Sequence, residues 1–452
     1  MNESLIRKYN VPGPRYTSYP TVPEWTADPL DIELWKEKLK ACFKTTNQSE
    51  GISLYLHLPY CESLCTYCGC NTRITINHKV ELPYIDTLLA EWQLYLETFD
   101  EKPMIAEIHL GGGTPTFFSP ENLKKLIDGI TQKAIIKEEA AFSFEAHPNS
   151  TSEAHLQTLY DLGFRRLSLG IQDFDLKVQK IVNRVQTFET VEKVVNQART
   201  IGYTSINFDL IYGLPLQTKE TIRDTFEKVS LLKPDRIAYY SYAHVPWVKP
   251  GQRSFTEADL PSNEEKRALY ELGKAILSKL EYQEIGMDHF SLPSDELYIA
   301  SQKGTLHRNF MGYTTESSTL VIGLGASSIG DTGDSYAQNV KKVEEYKALV
   351  VQGQFPLYRG HFLTEEEKAI RTHIAQIMCQ FETHQSEGLL KSTFIDALPK
   401  LSEFEKDNLI KVQKDHVQVL EAGKPFVRNI SMAFDSHYWK QHSDKPLFSS
   451  TI

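Results

Sequence analysis

From Ile52 onward the sequence alternates short strand patterns with helical ones, and that alternation limits the chain to a few architectures. Ile52, Leu54, Leu56 and Leu58 alternate with Ser53, Tyr55 and His57, the period-two signature of a strand, which ends at Pro59. Ile85, Leu88, Leu89, Trp92 and Leu96 then repeat at helical spacing. The pairing recurs, with strands near 105–110, 141–147, 165–172, 205–211 and 236–243. The helices that follow them lie near 120–135, 152–163, 175–182 with 188–201, 218–232 and 263–280. Six such units predict a parallel sheet, and 283–289 is a candidate for a seventh strand. A doubly wound open sheet needs strands that are apolar on both faces. Here one face is polar: Tyr55, then Ser143, Glu145 and His147, then Ser168 and Gln172, then Asn207 and Asp209. Such strands line a cavity, so the expected fold is an incomplete parallel (β/α)6-type barrel over residues 51–300, with its site at the C-terminal strand ends.

The flanks read differently. Residues 1–50 are expected as an arm and a helix: Gly13-Pro14-Arg15-Tyr16-Thr17-Ser18-Tyr19-Pro20 is too densely punctuated for a helix, whereas Leu30 to Phe43 suits one. Beyond residue 300 the alternation lapses, and 301–363 reads as a loop-rich connecting segment. Residues 364–452 are expected as a small, mostly helical domain. It opens on a capping box, Thr364 to Glu367, and carries a short β-ribbon near Val417–Leu420 and Val427. A net charge of −10 argues against nucleic acid as a partner. No apolar run is long enough to span a bilayer and the first residues hold no apolar signal core, so a cytoplasmic protein is expected; a monomer is expected independently of these features.

The first strand delivers the chain into Cys61-Glu62-Ser63-Leu64-Cys65-Thr66-Tyr67-Cys68-Gly69-Cys70, which holds four of the six cysteines. Thiolates packed this closely on one loop suit a soft metal. Structural zinc wants four protein ligands, usually as two separated pairs. No second pair exists, because only Cys42 and Cys379 lie elsewhere. A [4Fe–4S] cluster held by three cysteines, with one iron open to an exogenous ligand, fits better, and zinc is the alternative. The second strand ends in Gly111-Gly112-Gly113-Thr114-Pro115, which has neither P-loop nor dinucleotide-binding spacing.

A three-cysteine loop after the first strand of a βα barrel, joined to this glycine run, resembles the radical S-adenosylmethionine (SAM) enzymes. The likeness is closer to the oxygen-independent coproporphyrinogen III oxidase family. It rests on the Gly13–Thr21 arm, Cys70, Gln172-Asp173-Phe174, Asn207–Pro215, Tyr242-Ala243-His244, Gly286–Phe290, His307–Phe310 and Tyr336–Asn339. The resemblance implies a radical SAM barrel whose cluster ligands are Cys61, Cys65 and Cys68, with Tyr55 joining them in the catalytic set. It implies SAM contacts from Tyr55, Tyr67, Cys68, Gly69, Gly112, Gly113, Thr114, Glu145 and Ile329. Gln172, Arg184, Asp209 and Ala243 match positions that contact a second SAM, so two SAM molecules per site are expected. Cys70 matches a cysteine that is not a ligand. The implied reaction decarboxylates two propionates of coproporphyrinogen III to vinyl groups, with a low-potential donor such as flavodoxin or ferredoxin. Arg15 and Arg308 are candidates for the propionate carboxylates, on charge and location. A haem-binding chaperone of the same superfamily is the alternative; Cys70 and the N-terminal arm favour the oxidase. Leu110 in place of a tryptophan, and Ala146-His147 after Glu145, depart from the family pattern without removing a ligand.

Overall fold

In the computed structural model, which describes residues 3–26, 28–440, 448 and 451, the first strand lies inside the sheet with neighbours on both sides. On one side β1 (Ile52–Leu58), β2 (Met104–Gly112), β3 (Ile135–Ala146), β4 (Phe164–Gln172), β5 (Ser205–Tyr212) and β6 (Arg236–Ser241) run parallel in sequence order. Their apolar face supplies Leu54, Leu56, Ile108, Phe144, Leu169 and Phe208, all 0 % exposed, to one continuous core. The covering helices start where the sequence offers caps. Ser119, Ser152, Thr187, Thr218 and Ser262 each accept a backbone N–H of the helix they precede. The six-strand parallel barrel is therefore present.

The expected strand at 283–289 is a hairpin instead, β7 (Gln283–Gly286) and β8 (His289–Ser291), with β8 antiparallel to β6. The two residues between its arms, Met287 and Asp288, cannot carry the crossover that a parallel strand needs. A larger difference lies in 301–363. This segment supplies β9 (Leu320–Leu324), β10 (Ile329–Asp331), β11 (Ser335–Asn339) and β12 (Leu357–Phe362) to the main sheet. β9 pairs parallel with the free side of β1, and the other three follow as an antiparallel meander. The sheet order is thus β12-β11-β10-β9-β1-β2-β3-β4-β5-β6-β8-β7. Ser335, Gln338 and Asn339 are buried, so the alternation that betrays a strand is missing there.

The arm begins with a short helix, Glu3–Tyr9, and a second helix runs over Ile32–Thr46. Tyr9, Tyr16 and Tyr19 of the arm are buried in a separate core with Phe394, Phe404 and Phe426, so the two ends of the chain pack together. Thr364 caps Glu365–Gln380 as its capping box predicts. The ribbon has three strands: His416–Val419 lies between Glu382–His384 and Ile410–Val412. Val427 is not part of it; that residue opens the helix Val427–Met432, since Pro425 cannot serve a ladder and pre-sets a helical turn. No helix among the described residues is long and apolar enough to cross a membrane.

Candidate active site

The cysteine loop is tied down on three sides. Gly113 N–H donates to Leu58 O at 2.8 Å and Thr114 N–H to Tyr60 O at 3.0 Å, fixing the loop's start to the end of β2. At its middle, the Asn183 side chain donates to Leu64 O at 2.8 Å and Thr66 N–H donates to Val182 O at 3.0 Å, so Cys65 is held between two bonds to the turn before Phe188–Ile201. At its end, the Gln252 amide bridges Tyr67 O (3.2 Å) and Ala243 O (3.1 Å). Each tie satisfies a loop backbone group that would otherwise need water.

Cys61, Cys65 and Cys68 line a cavity of about 300 Å³ with Tyr67, Gly112, Gly113, Thr114, Glu145, Gln172, Arg184 and Asp209. A deeper cavity of about 230 Å³ shares Glu145, Asp209 and Tyr240 with it, and adds Arg166, Arg236 and His289. Cys61 Sγ lies 3.3 Å from Thr114 Oγ1, and Arg184 Nη1 lies 3.5 Å from Cys65 Sγ. Burial pushes the Cys61 thiol up to about 11, whereas the Cys70 side chain's hydrogen bond brings the Cys68 thiol down to about 6. Burial opposes the Arg184 charge, but Tyr67 and Cys65 outweigh it and raise its pKa. Among the described residues, the one set of three ligating side chains with donor atoms all within 4.8 Å of one another is Glu382, His384 and His416. Cys61, Cys65 and Cys68 are not such a set, so at least two of their sulfurs stand more than 4.8 Å apart, wider than the roughly 3.8 Å at which a single tetrahedral ion holds sulfurs. Three thiols facing a cavity at wider spacing suit a multi-iron cluster with one open iron, so this donor set fits a [4Fe–4S] group better than zinc.

Behind the thiols, Glu145 accepts Gly112 N–H at 3.2 Å and faces His109 Nε2 at 3.6 Å; His109 Nδ1 lies 2.8 Å from Ser143 Oγ. Burial works against the Glu145 carboxylate, but the bond and charge of His109, the Gly112 N–H and the His57 charge together outweigh it and hold its pKa below the usual range. Such a carboxylate can accept from a ligand ammonium. Asp209 accepts from Ser168 (3.0 Å) and Asn207 (2.9 Å), and burial with the nearby Glu145 charge pushes it up to about 6. Gly112 has φ +114°, and a Cβ there would meet the His57 ring at 2.7 Å. At Gly170 a Cβ would meet Arg184 Nη2 at 2.7 Å and Gln172 Nε2 at 2.8 Å, so a side chain there would displace those two groups.

The remaining expected residues sit apart from that cavity wall. Tyr55 donates to His57 Nδ1 at 3.1 Å and stacks on His109, one layer below. Gly69 has open space around it, and Ala243 is exposed. Ile329 pairs with Gln338 across the meander and lies against Gly323, the β9 residue beside Tyr55. Arg15 pairs with Asp288, while Arg308 lies over the Tyr313 ring at 4.6 Å and donates to Arg15 O. Sequence reasoning missed His109, Asn183 and Gln252 as site-building residues, and it took His57 only as a strand position. Asn183 and Gln252 act on distant loop carbonyls, for which local pattern carries no signal. His57 and His109 share the cavity-side parity of Tyr55, and that signal was available.

A radical SAM superfamily model matches residues 55–229. The "oxygen-independent coproporphyrinogen III oxidase" of Helicobacter pylori is 40% identical over 440 residues, covering 95% of each chain. That of Salmonella typhimurium is 38% identical over 455 residues, covering 99% of this chain and 98% of the relative. A solved Escherichia coli coproporphyrinogen III oxidase, described as a radical SAM enzyme, superposes with TM-score 0.90 at 36% identity, over 96% of this chain and 99% of that one.

Proposed function

The chain belongs to the oxygen-independent coproporphyrinogen III oxidase family of radical SAM enzymes, and on that premise we propose that it converts two propionates of coproporphyrinogen III to vinyl groups without oxygen, giving protoporphyrinogen IX. The observation that carries the reading is the continuity of the interior: thiol loop, Glu145, Asp209 and Tyr240 line cavities that share walls. Cys61, Cys65 and Cys68 would hold a [4Fe–4S] cluster. Once bound and reduced by a low-potential donor such as flavodoxin or ferredoxin, that group supplies the electron that cleaves SAM to methionine and a hydrogen-abstracting 5′-deoxyadenosyl radical.

The chain's own residues do the rest. Gly112 and Gly113 let a ligand approach the backbone, and Glu145 offers its carboxylate to a SAM ammonium. Tyr55, Tyr67, Cys68, Gly69, Thr114 and Ile329 complete the first SAM site in this reading. Gln172, Arg184, Asp209 and Ala243 serve a second SAM; Gln252 supports both the loop and Ala243. The walls exclude water from a reactive radical. Among the substrate candidates, Arg15 is already neutralised by Asp288. Arg308 buries Nε and Nη1 with no hydrogen-bond partner among the described residues, so it is the guanidinium with donors to spare for a propionate.

Anaerobic turnover of the reconstituted protein with SAM, a reductant and coproporphyrinogen III tests this. Protoporphyrinogen IX and 5′-deoxyadenosine should both appear, and both should vanish in Cys65→Ser. Tight haem binding with neither product would hand the case to the chaperone reading. Arg308→Ala should raise the KM for the tetrapyrrole roughly tenfold or more, the worth of a charged hydrogen bond, with iron content unchanged. An unaltered KM would remove Arg308 from the substrate site.

A further inference from the structure

On the C-terminal ribbon, well outside the cavity-lining residues, two imidazoles and a carboxylate converge. Glu382 and His384 are two residues apart on one strand and so share a face. His416 begins the neighbouring antiparallel strand, directly across from His384. The two rings stack with centroids 4.5 Å apart and 5° between their planes. Glu382 answers both, with Oε1 at 3.6 Å from His384 Nε2 and Oε2 at 3.3 Å from His416 Nε2. This is the set whose donor atoms all fall within 4.8 Å of one another.

Strand pairing, not chance contact, produces the arrangement: the i, i+2 spacing and the cross-strand partner put all three side chains on one face. An ion at about 2.0–2.2 Å from two imidazole nitrogens and a carboxylate oxygen needs its donors about 3–3.6 Å apart, within a small side-chain rotation of what is present. Imidazole with one carboxylate suits borderline ions of the zinc class and not calcium or magnesium. His416 is only 15% exposed, Glu382 40% and His384 55%, so the site has one walled ligand and an open side for water. We propose that Glu382, His384 and His416 bind one divalent zinc-class ion, its remaining position filled by water, which clasps the ribbon strand Glu382–His384 to its neighbour His416–Val419. The clasp has a mechanical reach. Strand Glu382–His384 continues the helix Glu365–Gln380, whose Arg371 holds Asp331 of β10 at 2.6 Å, so the ion would brace the seam between ribbon and sheet.

The test uses the cluster-loaded protein, in which the loop thiols are occupied, titrated with Zn²⁺ by calorimetry. One Zn²⁺ per chain should bind beyond the cluster iron. His384→Asn and His416→Asn should each weaken it by at least the roughly tenfold that loss of a mere supporting residue costs. Both variants should keep wild-type turnover and iron content; His384 is exposed enough that its variant remains folded. Co²⁺ in place of Zn²⁺ should give a spectrum without a thiolate charge-transfer band. No stoichiometric binding, wild-type affinity in either variant, or a thiolate band would each overturn the proposal.

Discussion

On one side of β1 the sheet continues through β2–β6, parallel strands of 6 to 12 residues. On the other it continues through β9–β12, strands of 3 to 6 residues. The first side is held by apolar area: Phe144, Leu167, Leu169, Phe208 and Leu210 are at most 1% exposed and packed under helices. The second side shares that core through Leu320, Ile322 and Leu324, and adds hydrogen bonds that converge on one buried carboxylate. Glu91 accepts Gly325 N–H at 2.7 Å, Asn339 Nδ2 at 2.6 Å and Tyr346 Oη at 2.7 Å. Two turns earlier on the same helix, Tyr84 donates to His57 O and accepts Ala326 N–H, joining the two sides. The barrel wall is thus built from packing, and the segment that closes it adds directed bonds to its packing. The first tolerates no lost volume, the second no lost acceptor.

That contrast can be broken by experiment. Phe144→Ala should cost about 4 kcal/mol in denaturant unfolding, from lost transfer energy and a cavity that rigid neighbours cannot fill. A cost under about 1 kcal/mol would mean the parallel side is not packing-dominated. Glu91→Ala should cost about 3 kcal/mol, because three buried donors lose their acceptor. Its mark is local: hydrogen exchange should quicken at Gly325 and Ala326 while β4 and β5 stay protected, and a uniform change would erase the distinction. The third effect is smaller and depends on pH. Burial pushes the Glu91 carboxyl from 4.5 up to about 7. The folded chain then keeps a proton that the unfolded chain has lost, so this group's contribution to stability falls as pH rises from about 4.5 to about 7. Between about pH 5.5 and pH 7.5 the wild type should lose roughly 2 kcal/mol more than Glu91→Gln, which has no such proton. Parallel slopes would show the carboxylate ionised throughout.

The same contrast explains what the sequence disclosed. β1 to β6 were legible because each alternates faces and is followed by a helical repeat, and parity alone put Glu145, Ser168 and Asp209 on the cavity side. β9–β12 are not, since Ser335, Gln338 and Asn339 are polar yet buried, and the Glu91 partner of Asn339 lies 248 residues away. The hairpin at 283–291 was read as one strand because a two-residue turn leaves little trace in periodicity. The cysteine loop announced its thiols, but the bonds from Asn183 and Gln252 that aim them come from more than a hundred residues away.

The place of β1 between β2 and β9 also bears on how the chain is made. β9 lies about 260 residues after β1, so theirs is the least local strand pairing among the described residues. At ribosomal rates of about 5–20 residues per second, roughly 15–50 seconds pass between synthesis of the two. Throughout that interval the outer edge of β1, a row of backbone N–H and C=O groups, has no strand beside it, and another chain could pair with it. The strand that leads into the cysteine loop is therefore a point at which the nascent protein is open to aggregation until β9 is made.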